Sequence, residues 1–119
     1  MKLLLDRLPE SLQSSRDTLT KCLQAVDQVR RVHAVYLFGS HARGEAHPGS
    51  DVDLCIVADG AEEQLRAAAD FRQAMWPIRP GLSFTLVPIT PGRLAEKRAV
   101  QDPFFQTMLK EGVQIAAED

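Results

Sequence analysis

The residues best placed for chemistry are Asp51 and Asp53, in the run Ser50-Asp51-Val52-Asp53-Leu54, and the pair Gly39-Ser40, with ten residues between Ser40 and Asp51. Two residues apart on a strand, the carboxylates point to one face, their backbones about 7 Å apart. The alternate positions Val52, Leu54 and Ile56 belong in a core. Two carboxylates on one side of an apolar strand repel each other and are costly to desolvate unless a positive charge neutralises them. A divalent cation does this, and hard carboxylate oxygens suit Mg²⁺, which commonly shares its shell with substrate phosphates. Two such ions about 4 Å apart would activate an attacking oxygen and stabilise a leaving pyrophosphate.

Gly39-Ser40 supplies the other half. Glycine directly after a buried strand lets backbone come close to a ligand. A short helix starting at Ser40 would turn free N–H groups toward a phosphate, and the Ser40 hydroxyl adds a donor. Arg43, one turn on, could reach a phosphate with its planar fork, or else form a surface ion pair. Taken alone, Asp51 and Asp53 read as loop-edge residues capping a turn, and Ser40 reads as a helix N-cap. Together with Ala42-Arg43-Gly44 they favour a nucleotide site. His41 and His47 read as solvated loop residues, since no partner His or Cys has ligand spacing. His33 reads as a satisfied core histidine, and Trp76, Phe104 and Phe105 as core or partner surface.

The elements that must hold these residues follow from hydrophobic period. Leu12, Leu19, Cys22, Leu23, Val26 and Val29 recur at helical spacing, which predicts an amphipathic helix over about residues 9–30. Val32 to Phe38 is a short apolar run ending at Gly39, a central strand buried on both faces. Asp51 to Ala58 is a second strand. Glu62 to Trp76 is a helix stopped by Pro77, and Leu82 to Val87 is a third strand limited by Pro88. Thr90-Pro91 and Asp102-Pro103 are helix starts with an N-cap and a proline at the first position. Gly112 ends the last helix, and Val113 to Ala116 adds a short edge strand. The expected fold is α/β, one domain over residues 1–119 with a core of about 30–115: a small mixed central sheet flanked by helices.

Composition narrows the class. The chain has 119 residues, 45% hydrophobic and 25% charged, with a formal net charge of −2. That is enough apolar material for one core, and nothing global pulls the protein onto nucleic acid or an anionic membrane. Direct nucleic-acid binding and a membrane span are not expected. Cys22 and Cys55, both among apolar neighbours, read as free thiols in a reducing cytoplasm, with a single disulfide as the alternative.

Gly39-Ser40, Ala42-Arg43-Gly44 and Ser50-Asp51-Val52-Asp53-Leu54 resemble the pattern of the nucleotidyltransferase superfamily, which includes DNA polymerase β and kanamycin nucleotidyltransferase. The branch most similar is the minimal nucleotidyltransferases, and weaker likeness extends over Leu86 to Pro91 and Pro103 to Val113. The resemblance implies a polymerase β-like palm fold. It implies that Gly39, Ser40 and Arg43 hold a nucleoside triphosphate and that Asp51 and Asp53 bind Mg²⁺ and carry catalysis. It further implies transfer of AMP from ATP to a protein, the HEPN-domain toxin that such antitoxins accompany. The family's third acid, on the next core strand, aligns with Thr85, which is not a carboxylate. That departure opens a second reading, an antitoxin or interaction subunit acting by contact. A small-molecule nucleotidyltransferase ranks last, because no substrate domain is present. The long N-terminal helix also offers a face for an oligomer or partner.

Overall fold

A computed structural model describes residues 1–78 and 80–119. The strands are β1 (Lys2–Leu3), β2 (Val32–Phe38), β3 (Val52–Ala58), β4 (Phe84–Ile89) and β5 (Val113–Ala117). The helices are α1 (Arg16–Val29), α2 (Gly39–Ala42), α3 (Gln64–Met75), α4 (Pro91–Ala99) and α5 (Pro103–Glu111). The strands form one mixed sheet in the order β1-β5-β2-β3-β4, with β3 and β4 parallel and the other pairs antiparallel.

Alternation along β3 decides which residues go where. Val52, Leu54, Ile56 and Ala58 enter the larger core with Val35 and Leu37 of β2. Leu19, Cys22, Leu23 and Val26 of α1 and Ala67, Phe71 and Met75 of α3 close this face. Cys55 and Val57 point the other way, into a smaller cluster with Ala34, Ile89, Leu94 of α4 and Phe105 and Met108 of α5. Asp51 and Asp53 continue that second face by the same alternation, beyond the part those apolar side chains fill. Both cysteines are free and buried, and burial pushes the Cys55 thiol up to about 12.

Four expectations need correction. The N-terminal helix is not α-helical from residue 9: Glu10–Ser15 is a 3₁₀ helix and the α-helix begins at Arg16. Ser11, Ser14 and Ser15 are poor interior helix residues, because their hydroxyls compete for backbone groups. The apolar face of α1, offered to an oligomer or partner, is consumed inside the chain, Leu19 and Cys22 being fully buried. The third strand runs two residues later than the pattern suggested and includes Pro88. It tolerates the proline because β4 is an edge strand, and the Pro88 carbonyl accepts from Gln64 Nε2 at 3.0 Å. The last strand is not an edge: β5 lies between β1 and β2, since Lys2–Leu3 pairs with Ala116–Ala117. A two-residue strand carries no sequence signal of its own. Among the described residues no helix is long and apolar enough to cross a membrane.

Candidate functional site

Gly39 follows β2 with φ +75°, a conformation glycine adopts without the penalty of a Cβ. It lies against β3: a Cβ built there would sit 1.9 Å from Asp53 Oδ2 and 2.9 Å from its Cγ. Phe38 and Asp53 are directly opposite in the antiparallel register, so the strand pairing itself presses the glycine turn onto the carboxylate. α2 then makes one short turn, and Arg43 N donates to the Gly39 carbonyl at 3.1 Å. The returning loop is closed by Ser50 N donating to His47 O at 2.9 Å, and Val52 N donating to Ser83 O at 2.8 Å starts the β3–β4 pairing.

One open cleft of about 810 Å³ is lined by Gly39, Ser40, Arg43, Asp51 and Asp53 together. Phe38, His47 and Ser50 contribute from the same side, and Pro103, Phe104, Thr107, Met108 and Glu111 of α5 form the opposing wall. All five residues singled out in the sequence therefore meet. Asp51 is exposed and Asp53 half-buried. The Asp53 carboxyl is held above the usual carboxylate range, first by burial and also by the Asp51 charge, against the lowering influence of Thr85, His41 and Arg43. Arg43 pairs with Glu45 at 3.1 Å and approaches Glu111 at 3.8 Å, so its charge is already shared among carboxylates.

Thr85 stands beside Asp53 in the parallel register of β3 and β4, on the carboxylate face, as the sequence alignment required. Its Oγ1 donates to Asp51 Oδ2 at 3.2 Å, and the same hydroxyl lowers the Asp53 carboxyl. It has one proton to give; the bond geometry assigns it to Asp51, and its effect on Asp53 is that of a neighbouring dipole. An exposed and a half-buried carboxylate, with no third, form a donor set suited to a hard dication that completes its shell with water or phosphate oxygens. Among the described residues no group of three His, Cys, Asp or Glu is placed to hold a metal ion.

His41 departs from expectation. It is 7% exposed, not a solvated loop residue. Its Nε2 faces the Ser50 carbonyl at 3.4 Å, which can only accept, so Nε2 carries the proton and Nδ1 accepts from Ser11 Oγ at 2.8 Å in the neutral ring. The imidazole thus ties the 3₁₀ segment before α1 to both halves of the cleft. The glycine-serine turn is its own helix, and Ser50 precedes Asp51. Local sequence held no signal for this, because Ser11 lies 30 residues away. His47 is exposed, as expected. His33 is satisfied but not in the core: its Nε2 meets Asp59 Oδ1 at 2.6 Å and its Nδ1 meets Glu118. Trp76 is 78% exposed, whereas Phe105 is buried.

Comparison with known proteins agrees with this architecture. Solved structures that share the fold include the following two. One is a crystal structure of a toxin–antitoxin with AMP-PNP, at TM-score 0.56 and 22% identity, covering 87% of this chain and 73% of that one. Another is a protein assigned as a candidate minimal nucleotidyltransferase, at TM-score 0.50 and 24% identity, covering 87% of this chain and 92% of that one. Among curated proteins no sequence match is found. The family model for the nucleotidyltransferase domain matches residues 19–102, which contain the glycine-serine turn, both aspartates and Thr85. That span is well over half of the 119 residues, and the chain belongs to the nucleotidyltransferase domain family.

Proposed function

We propose that the protein binds ATP with Mg²⁺ in the cleft between α2, β3 and α5 and transfers AMP to a hydroxyl of a partner protein. The observation that carries this reading is the contact of Gly39 with Asp53, which puts a bare backbone turn and the carboxylate pair in one cleft. Asp51 and Asp53 would hold the cation, which supplies charge neutralisation and polarises the phosphoryl group. The remaining work falls to the chain. The Gly39-Ser40 backbone and the Ser40 hydroxyl hold phosphate oxygens, and Arg43 leaves its glutamate partners for a phosphate. Thr85 orients Asp51 through its hydroxyl. The acceptor oxygen bonds to the α-phosphorus, the bond to pyrophosphate breaks, and the acceptor's proton passes to solvent water in the open cleft. A partner protein as acceptor is in keeping with the neighbour described as a toxin–antitoxin with AMP-PNP, and a HEPN-domain toxin is the partner that the family resemblance implies.

The test is mass spectrometry of the partner after incubation with ATP and Mg²⁺. An AMP adduct that disappears with Asp51→Asn/Asp53→Asn supports transfer; a folded protein that yields no adduct refutes it. One observation favours a second reading, an interaction subunit that neutralises its partner by contact: a threonine occupies the strand position beside Asp53 where a third acid would complete the metal site. Neutralisation that survives the double asparagine variant identifies that case.

A further inference from the structure

The wall opposite the carboxylates contains one side chain out of keeping with its surroundings. On α5, Phe105 and Met108 are buried, at 8% and 3% exposure, within the smaller core cluster. Phe104 precedes them and is 48% exposed. The helix start leaves no freedom in this placement. Pro103 opens α5, and Asp102 Oδ2 accepts from Phe105 N at 3.1 Å. The Phe104 ring is pinned by two perpendicular contacts, to Phe38 at 5.8 Å and 88° and to Phe105 at 5.0 Å and 85°. Neither neighbour lies parallel over its face. The ring also borders a second cleft of about 770 Å³, shared with Val87, Ile89 and Arg93. It therefore stands as an apolar partition between two clefts, one of which also holds Asp51 and Asp53.

We infer that Phe104 is the platform on which the base of the bound nucleotide stacks, its phosphates reaching toward Gly39-Ser40 and the aspartate pair. This rests on the nucleotide reading proposed above and adds the base subsite to it. Three features carry it. The cleft is of a size that holds a nucleotide-sized ligand. Phe104 shares its lining with both phosphate-side elements. A half-exposed aromatic ring gains burial and a favourable offset stack when a flat group covers its face. Stacking on a single face recognises every base by its π surface. The site accordingly accepts all four nucleoside triphosphates and prefers purines by their larger area.

Calorimetric titration of the full chain in Mg²⁺ tests this with ATP, GTP, CTP, UTP and, as a ligand with phosphates but no base, tripolyphosphate. Phe104→Ala is expected to weaken ATP roughly 5- to 150-fold, the span one base–aromatic stack contributes, and to leave tripolyphosphate unchanged. Phe104→Trp is expected to restore ATP. Equal weakening of ATP and tripolyphosphate would mean the ring only supports the cleft and overturns the inference. So does ATP affinity that ignores Phe104 while remaining sensitive to Asp53→Asn. If the wild-type protein binds neither ligand, the nucleotide reading itself falls, an outcome separate from the other two.

Discussion

Gly39→Ala probes the contact on which the cleft depends. Two costs arise from one methyl group. The residue stays at φ +75°, where a Cβ costs about 1–2 kcal/mol. The new Cβ also arrives 1.9 Å from Asp53 Oδ2, 2.9 Å from Cγ and 3.3 Å from Cβ. Turning the carboxylate away relieves the first distance but forces an off-rotamer side chain or a backbone shift, about 1–3 kcal/mol. The sum is about 2–5 kcal/mol, a large part of the roughly 5–15 kcal/mol that holds a domain together. At about 3 kcal/mol and roughly 4 °C per kcal/mol, the melting midpoint falls by about 12 °C. Gly44→Ala is the control: its φ is +72° but a Cβ there meets nothing within 4 Å, so only the conformational cost applies. Urea denaturation of both variants separates the two terms, and Mg²⁺–ATP titration reads the displaced carboxylate as lost affinity. Gly39→Ala/Asp53→Ala should regain the contact term and be more stable than Gly39→Ala alone. If Gly39→Ala costs no more than Gly44→Ala, or Asp53→Ala gives no relief, the packing argument for the cleft is wrong.

Asp53→Asn should stabilise the metal-free protein, because the folded state disfavours the Asp53 charge. The folded carboxyl holds its proton to higher pH than the unfolded one, so native stability falls as pH rises through the interval above the ordinary aspartate value of 3.8. The advantage of the asparagine variant in thermal melts should grow across that interval and then level off. A flat difference between pH 3 and 7 would contradict it. His41→Ala should cost about 2–3 kcal/mol by leaving Ser11 and the Ser50 carbonyl without their partner. His41→Asn, which keeps an acceptor near the Nδ1 position, should recover part of that in urea unfolding, and equal losses would deny the brace. Thr85→Asp adds a third carboxylate beside Asp53. It should lower metal-free stability and tighten Mg²⁺, read by calorimetry; unchanged Mg²⁺ affinity would mean that position does not face the cation.

Local patterns were enough for much of this protein. The run Val32 to Phe38 is apolar and short, and β2 spans those residues. Thr90-Pro91 and Asp102-Pro103 each start a helix with the side-chain cap their residue types imply, Thr90 accepting from Arg93 N and Asp102 from Phe105 N. The spacing of Gly39-Ser40 and Asp51-x-Asp53 identified the two halves of a single cleft, because alternation along a strand and the turn after one are properties of neighbouring residues. What lay beyond reach was set by residues far apart in the chain. Ser11 meets His41 across 30 positions, Lys2–Leu3 covers β5, and α5 closes the wall facing the aspartates only after the chain has crossed the sheet. Burial of an imidazole, exposure of Phe104 and the interior place of β5 follow from which surfaces meet in three dimensions. No window along the sequence contains both members of such a contact, and only the packed sheet and its helices bring them together.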